Sequence, residues 1–131
     1  MILLDTHAWI WWLAQPHSLS PAARAAIEGS IEGEGVGVSS ISVWELALLV
    51  HKGRLGLAMD PAAWVEACEA LPFLAFYPVD NTVALRAVSL PPAFHADPAD
   101  RMIVATALVY GMRVVTKDER MRASGLVGAI W

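Results

Sequence analysis

DRMIVATALVYGMRVVT, residues 100–116, decides the fold class of this 131-residue chain. Its first part places Ile103, Val104 and Ala107 at the spacing of one helix face. Gly111, just past that pattern, is typical of a helix C-terminus. The apolar RVVT segment that follows predicts a buried strand. The stretch therefore predicts a helix that leads directly into a strand.

The same alternation extends over the rest of the chain. Strands are predicted at residues 2–5, 36–40, 74–79, 113–116 and 127–131, and helices at 6–14, 21–30, 42–52, 61–71, 80–90, 100–110 and 117–123. Helices between strands let successive strands run parallel, with right-handed crossovers. We therefore expect a single three-layer α/β/α domain spanning residues 1–131, with a central parallel sheet of four or five strands.

The composition narrows the class of protein. The chain is 56% hydrophobic with a mean hydropathy of +0.50, yet no apolar run approaches the ~20 residues of a membrane helix. The N-terminal stretch carries Asp5 and no basic region, which predicts no signal peptide, and the single Cys68 excludes a disulfide framework. We expect a cytoplasmic protein without membrane association.

The surplus apolar surface of the chain predicts a partner chain. We interpret Trp9, Trp11 and Trp12 as core and interface residues rather than base-stacking platforms.

The formal net charge of −4 is unusual for a nucleic-acid-binding protein, because such proteins are normally basic. Basic residues gather only modestly, at 51–54 and across Arg113, Lys117, Arg120 and Arg122. Guidance of phosphates and ordinary solvated surface are both open interpretations of these clusters. If the protein handles nucleic acid, a bound metal ion is one means of reversing the charge locally.

Three acids, Asp5, Glu45 and Asp118, lie just past a predicted strand or at the start of the helix that follows it. A fourth acid, Asp100, opens the helix that runs into the fourth strand, beside Asp97. The carboxyl ends of parallel strands share one edge of a sheet, and ligands bind there. Converging carboxylates repel one another without a cation, and Mg²⁺ and Mn²⁺ prefer carboxylate oxygens. Such a cation generates hydroxide near neutral pH and stabilises charge on a phosphate. The pattern therefore predicts a phosphodiester-cleaving centre.

Most of these acids also have a purely structural explanation. Ser42 and Glu45 have the spacing of a capping box. Asp97 and Asp100 stand at the N-cap and N3 positions of the next helix, and Asp5 is placed to cap the first one. Taken one at a time, capping is the expected role of each.

Thr116 or Asp118 is expected to cap the last helix. Thr116 is interpreted mainly as a cap, with support of the turn at Asp118 or substrate contact as the alternative, and Thr6 is interpreted in the same way. His7 and His95 flank the predicted site. They have no metal-binding spacing, so we interpret both as packed or solvated side chains rather than RNA contacts.

The chain resembles PIN-domain ribonucleases, and more narrowly VapC-type toxins, in four segments: LLDTHAWIWWL, SSISVWELALLVHKGRL, HADPADRMIVATAL and VVTKDERMRASG. In this order and spacing the segments extend over essentially the whole chain. The resemblance implies a PIN-like fold and a Mg²⁺-dependent endoribonuclease, with Mn²⁺ as the other candidate ion. It maps the catalytic and metal-binding acids of the family onto Asp5, Glu45, Asp100 and Asp118, and it leaves Asp97 as an accessory acid.

The resemblance further implies partners and roles. We expect a single-stranded or structured RNA substrate, a homodimer or larger toxin–antitoxin assembly, and a small VapB-type antitoxin whose tail crosses the acidic site. Asp5 and Asp100 are expected to ligate the metal most directly. Asp118 would complete the site through a second ion or a water. Glu45 would orient or deprotonate the attacking water, or bind the ion through a water itself.

Other classes of function remain open. A catalytically silent PIN-like scaffold would bind a partner, although it has no need of four intact acids. A phosphatase with an Asp-x-Asp nucleophile needs an acid where this chain has His7. A receiver-like phosphoacceptor domain needs one near Ser39 or Val79, where Asp80 is available but no paired acids follow Asp5.

Overall fold

A computed structural model describes residues 1–131 and contains a five-stranded sheet with helices on both faces, which confirms the predicted α/β/α architecture. The strands are β1 (Ile2–Leu4), β2 (Val36–Ser39), β3 (Leu74–Tyr77), β4 (Arg113–Val115) and β5 (Ala129–Ile130). The helices are α1 (Thr6–Ala14), α2 (Pro21–Ile31), α3 (Ser40–His51), α4 (Pro61–Glu69), α5 (Asn81–Val88), α6 (Pro98–Tyr110) and α7 (Glu119–Ala123), with a short 3₁₀ turn at Pro16–Ser18.

The sheet is parallel throughout, with the strand order β3-β2-β1-β4-β5. The first strand in the chain is therefore the central strand of the sheet. All three residues of β1 are buried, as expected for a strand that is covered on both faces. The carboxyl ends of β1, β2 and β4 lie side by side, so this topology brings the segments that follow them to one edge.

Alternate residues of β1 belong to two different cores. Ile2 and Leu4 pack with residues of α1 and α2 on one face of the sheet, whereas Leu3 packs with residues of α6, such as Ile103, because successive strand side chains point to opposite faces. A third, smaller cluster joins α5 to α6. Helices therefore cover both faces of the sheet, whereas its carboxyl edge is not covered.

The start of α3 differs from the sequence prediction. The helix begins at Ser40, directly after β2, and its N-cap is Ser39, whose hydroxyl accepts a hydrogen bond from the Ile41 N–H at 3.2 Å. Glu45 therefore lies in the second turn, beyond the first four N–H groups that a cap can satisfy. The predicted capping box of Ser42 and Glu45 is wrong.

The other element ends shift by one or two residues. α6 begins at Pro98, two residues before the predicted start, with Asp97 as its N-cap. It ends at Gly111, which adopts the left-handed conformation (φ 66°) that glycine tolerates. β3 ends at Tyr77 because Pro78 has no N–H to donate.

None of the helices combines the length and hydropathy that a membrane crossing requires.

Candidate active site

One cleft at the carboxyl edge of the sheet brings the predicted acids together. Its volume is about 370 Å³. Its lining residues are Asp5, Thr6, His7, Trp11, Glu45, Asp97, Asp100, Lys117 and Asp118. All four acids predicted to act at the site are present, together with Thr6 and Asp97. Thr116 lies behind this lining, against Asp5.

The two carboxylate oxygens of Asp5 accept hydrogen bonds from different segments of the chain. Oδ1 accepts a hydrogen bond from the Ala8 N–H at 2.8 Å and caps α1, as predicted. Oδ2 accepts a hydrogen bond from the hydroxyl of Thr116 at 2.5 Å. Burial raises the pKa of Asp5, and these hydrogen bonds offset only part of that effect. Asp5 is thus held rigidly in an environment that disfavours its negative charge.

Thr116 joins two of the acids instead of capping a helix. Its hydroxyl donates to Asp5 and accepts the Asp118 N–H at 3.0 Å. The cap of α7 is Asp118, whose Oδ1 accepts the Met121 N–H at 2.9 Å. The interpretation of Thr116 mainly as a cap is therefore wrong, and the alternative, support of the turn at Asp118, describes its contacts.

Glu45 is oriented by Thr6. The Thr6 hydroxyl oxygen lies 2.5 Å from Oε1 of Glu45 and 2.8 Å from the buried hydroxyl oxygen of Ser42. An ionised carboxylate only accepts, and Thr6 has a single proton. Thr6 therefore donates to Glu45, and Ser42 donates to Thr6. Burial raises the pKa of Glu45, and the charge of Asp97 raises it further.

Asp97 and Asp100 have different roles at the start of α6. Asp97 Oδ1 accepts the N–H groups of Ala99 and Asp100 at 2.8 and 3.2 Å, which confirms its predicted role as N-cap. The carboxylate of Asp100 accepts no backbone hydrogen bond. Burial and then the neighbouring acids, Asp97 first among them, raise the pKa of Asp100 to about 7. The environment of Asp100 therefore strongly disfavours its negative charge.

His95 is a member of the acidic cluster that sequence reasoning did not identify. We interpreted it as packed or solvated; its side chain is only 8% exposed and lies against two of the acids. Its Nε2 lies 3.0 Å from Asp100 Oδ2 and 3.6 Å from Asp118 Oδ2, without an aligned hydrogen bond. Its Nδ1 accepts the Asp97 N–H at 3.2 Å. That contact places the proton of a neutral ring on Nε2, facing the carboxylates.

Arg101 holds the loop that carries His95. Its guanidinium donates to four backbone carbonyls, those of Ala87, Leu90, Pro91 and His95, at 3.0–3.3 Å. One sequence signal pointed to such a role. A cation in the first turn of a helix opposes the helix dipole, so its presence there indicates a specific partner elsewhere.

The residues of the cleft fit a hard divalent cation. Three of its acids, Asp5, Glu45 and Asp100, have raised pKa values with burial as the main cause. Ligand atoms of His95, Asp100 and Asp118 lie within 4.8 Å of one another. None of the cleft acids forms an ion pair with Lys or Arg. A cation would relieve their mutual repulsion, and carboxylate oxygens are the ligands that Mg²⁺ and Mn²⁺ prefer.

Comparisons with known proteins agree with this geometry. Residues 2–125 match the model of the PIN domain family. The chain is 42% identical over 122 residues to "Ribonuclease VapC22" of Mycobacterium tuberculosis (strain ATCC 25618 / H37Rv), covering 93% of this chain and 90% of the relative.

Two solved structures illustrate the shared fold. FitAcB from Neisseria gonorrhoeae is 26% identical with a TM-score of 0.69, and the match covers 98% of this chain and 96% of that one. VapBC2 from Rickettsia felis, bound to a DNA fragment from its promoter, has a TM-score of 0.71 at 14% identity, with 98% and 97% covered. At 14% identity the second match shows the fold alone.

Proposed function

The chain belongs to the PIN-domain family, and from this premise we propose that it is a metal-dependent endoribonuclease that acts as the toxin of a VapBC-type toxin–antitoxin pair. One observation carries the proposal. The carboxyl edge of the sheet gathers Asp5, Glu45, Asp100 and Asp118 in one cleft, where no Lys or Arg side chain pairs with them. We propose a cytoplasmic location, which an RNA substrate would favour. The single sheet that joins β1 to β4 supports one domain over residues 1–131.

Each acid has a role that follows from its contacts. Asp5, Asp100 and Asp118 would hold the ion, Mg²⁺ or Mn²⁺, which when bound supplies a hydroxide-generating and charge-stabilising centre. Glu45 would take a proton from the attacking water, because its raised pKa makes it a better base near neutral pH. Thr6 orients Glu45 and Thr116 orients Asp5. Asp97 would act indirectly, because it caps the first turn of α6, in which Asp100 lies.

An antitoxin partner is supported by an apolar groove beside the cleft. The groove has a volume of about 420 Å³ and includes Trp44 and Leu48, with Lys52 at its edge. Trp44 is 58% exposed. Glu45 and Asp97 line both the groove and the acidic cleft, so a chain segment that fills the groove would reach the acids. The VapB-type antitoxin would bind there.

A homodimer is supported by a different surface. Leu85 and Val88, one turn apart on α5, are 73% and 82% exposed. Soluble monomers seldom leave large aliphatic side chains together in water. We propose that this face of α5 contributes to contact between two copies of the chain.

The test compares RNA cleavage by the wild type, Asp100→Asn and Asp60→Asn with Mg²⁺, with Mn²⁺ and with EDTA. Asp60 is the matched control, because it caps α4 and lies outside the acidic cleft. We expect metal-dependent cleavage by the wild type and Asp60→Asn, and a loss of at least about 100-fold in Asp100→Asn, since an amide is a poor ligand for a hard cation.

Cleavage by Asp100→Asn at the wild-type rate would contradict the metal-site assignment. A wild type that folds and binds its antitoxin but cuts no RNA with either ion would instead favour the catalytically silent scaffold. Expression in a bacterial host, followed by sequencing of RNA ends, would then identify the target.

A further inference from the structure

One side of the cleft is aromatic and basic rather than acidic. His7 and Trp11, four residues apart on α1, share one face of the helix, with ring centroids 5.5 Å apart. The ring of Trp131 lies 5.7 Å beyond that of Trp11. The ammonium of Lys117 lies 5.9 Å from the centroid of Trp11. We call this group of four side chains the aromatic wall.

Core packing accounts for only part of the aromatic wall, because Trp11 and Trp131 pack against the main core yet remain half-buried. Trp9, on the same helix, is fully buried and packs against Trp64 and Phe76, with centroid distances of 5.0 and 5.6 Å. Trp11 is only half-buried, and it lines the cleft together with His7 and Lys117, which are both exposed. The interpretation of Trp11 as a core and interface residue is therefore incomplete, because part of its side chain also lines the cleft.

The parallel sheet explains why the aromatic wall lies beside the acids. His7 follows β1, Lys117 follows β4 and Trp131 follows β5, so each enters from the carboxyl end of its strand. The acids Asp5 and Asp118 enter from the ends of β1 and β4. The same edge thus carries both groups, and His7, Trp11 and Lys117 line one cleft with the acids, while Trp131 contacts the ring of Trp11 from outside that lining.

We propose that the aromatic wall is a subsite for an unpaired nucleotide of single-stranded RNA, in which the base stacks on the rings and Lys117 contacts a phosphate. Every base has a face that stacks on an aromatic side chain. A base within a duplex has both faces covered, so recognition of this kind selects unpaired nucleotides. The cleft volume of about 370 Å³ lies within the range of small-ligand sites.

The subsite would complement the acids in charge and in position. The acids repel phosphates unless a cation is bound, so binding energy for the RNA must come from elsewhere in the cleft. Lys117 is the one Lys or Arg among its lining residues. This inference rests on the proposed function, since it names the substrate feature that the same cleft would recognise: an unpaired base beside the phosphate that is cut.

The test measures binding with cleavage switched off. Fluorescence anisotropy would follow a fluorescein-labelled octa-adenylate in EDTA with the wild type, His7→Ala, His7→Phe and Lys117→Gln. Matched controls are His17→Ala, an exposed histidine of the 3₁₀ turn, and Arg113→Gln, an exposed cation at the amino end of β4. The melting temperature of each variant confirms that it is folded.

We expect His7→Ala to bind about fivefold more weakly or worse, and His7→Phe, which keeps a ring, to bind within about twofold of the wild type. Lys117→Gln should lower the slope of log affinity against log salt by about 0.7, the value for one phosphate contact on a single strand. The two controls should match the wild type.

Wild-type affinity in both His7→Ala and Lys117→Gln would overturn the proposal. An equal loss of affinity for a blunt-ended RNA duplex would also overturn it, because that loss would indicate a charge effect without stacking. Cleavage by the wild type is assayed separately. If binding depends on His7 but no RNA is cut with Mg²⁺ or Mn²⁺, the subsite stands and the ribonuclease assignment fails.

Discussion

Capping a helix and lining the cleft are compatible roles for a single carboxylate of this protein. Asp5 and Asp118 each use Oδ1 to accept a backbone N–H, while Oδ2 contacts Thr116 in one case and faces His95 in the other. Glu45 and Asp100 cap nothing. An Asn substitution keeps the capping oxygen, so chemistry can be removed from Asp5 or Asp118 with little effect on the helix that follows.

His95 gives a prediction at the residue scale. Its Nδ1 contact favours an Nε2–H that faces Asp100 and Asp118, rather than an Nε2 that ligates the ion. Gln can supply a similar N–H, whereas Leu cannot. We expect His95→Leu to weaken Mn²⁺ binding by about tenfold or more, the effect typical of a group that orients a ligand, and His95→Gln to retain most of the affinity, as measured by calorimetry.

An equal loss in His95→Gln and His95→Leu would assign His95 to the ligand set itself. His51→Leu is the matched control, because His51 is an exposed residue at the end of α3, outside the cleft.

At the scale of elements, α6 organises the cleft from its first turn. Asp97 caps the helix, Asp100 extends into the cleft, and Arg101 reaches back to the carbonyls at the end of α5 and in the loop beyond. Arg101 thereby connects α6 to the segment that carries His95. The position of a site residue depends here on a guanidinium that does not line the cleft.

Arg101 gives a prediction at this scale. Arg101→Ala removes hydrogen bonds to four carbonyls, and we expect it to lower the free energy of unfolding by about 2 kcal/mol or more. The free energy of unfolding of Arg101→Lys should lie between those of the wild type and Arg101→Ala, since one ammonium cannot reach the same four carbonyls. Urea denaturation measures both, with Arg120→Ala, an exposed change in α7, as the control.

A loss below about 0.5 kcal/mol in Arg101→Ala would show that water replaces these contacts without cost, as at most surface positions.

Local signals predicted the elements well and their tertiary partners poorly. The strand–helix alternation, the cap at Asp97 and the C-terminus of α6 at Gly111 all follow from short-range patterns. The start of α3 did not, because the segment SSIS offers three serines as candidate caps. The partners of His95 and Arg101 belong to segments that meet only in the folded chain, so periodicity carried no information about them.

At the scale of the whole molecule, parallel topology made the convergence of the acids predictable. Once the strands were expected to run in one direction, the segments after β1, β2 and β4 had to share an edge with the start of the helix that runs back into β4. The extent of burial was not predictable, because it depends on how loops close over that edge. Burial is the main cause of the raised pKa values of Asp5, Glu45 and Asp100.

These pKa values give a prediction for the metal-free protein. A carboxyl group with a raised pKa binds its proton more tightly in the folded state, so its contribution to stability is complete below about pH 4 and is lost as the pH rises. For Asp100 the loss continues to about pH 7. We expect the melting temperature in EDTA to fall between pH 5 and pH 8, and to fall less in Asp100→Asn than in Asp60→Asn or the wild type.

A divalent cation should reverse this loss. Mn²⁺ or Mg²⁺ binds only the folded chain in the required geometry, and such binding raises stability by about 2.7 kcal/mol at 100 times the dissociation constant. We expect the increase in melting temperature to be larger at pH 8 than at pH 5 and to disappear in Asp100→Asn. An ion-induced increase of the same size in Asp100→Asn would contradict the site.

The strand order has a consequence for the timing of synthesis. The central strand is made first, yet Asp5 is held by Thr116, 111 residues later in the chain. Domains are completed from the N-terminus during translation, so a ribosome must release nearly the whole chain before this contact forms. Unfinished chains would lack Asp118 and the fourth strand. A nuclease built in this way has an incomplete acidic cleft until its own translation is almost over.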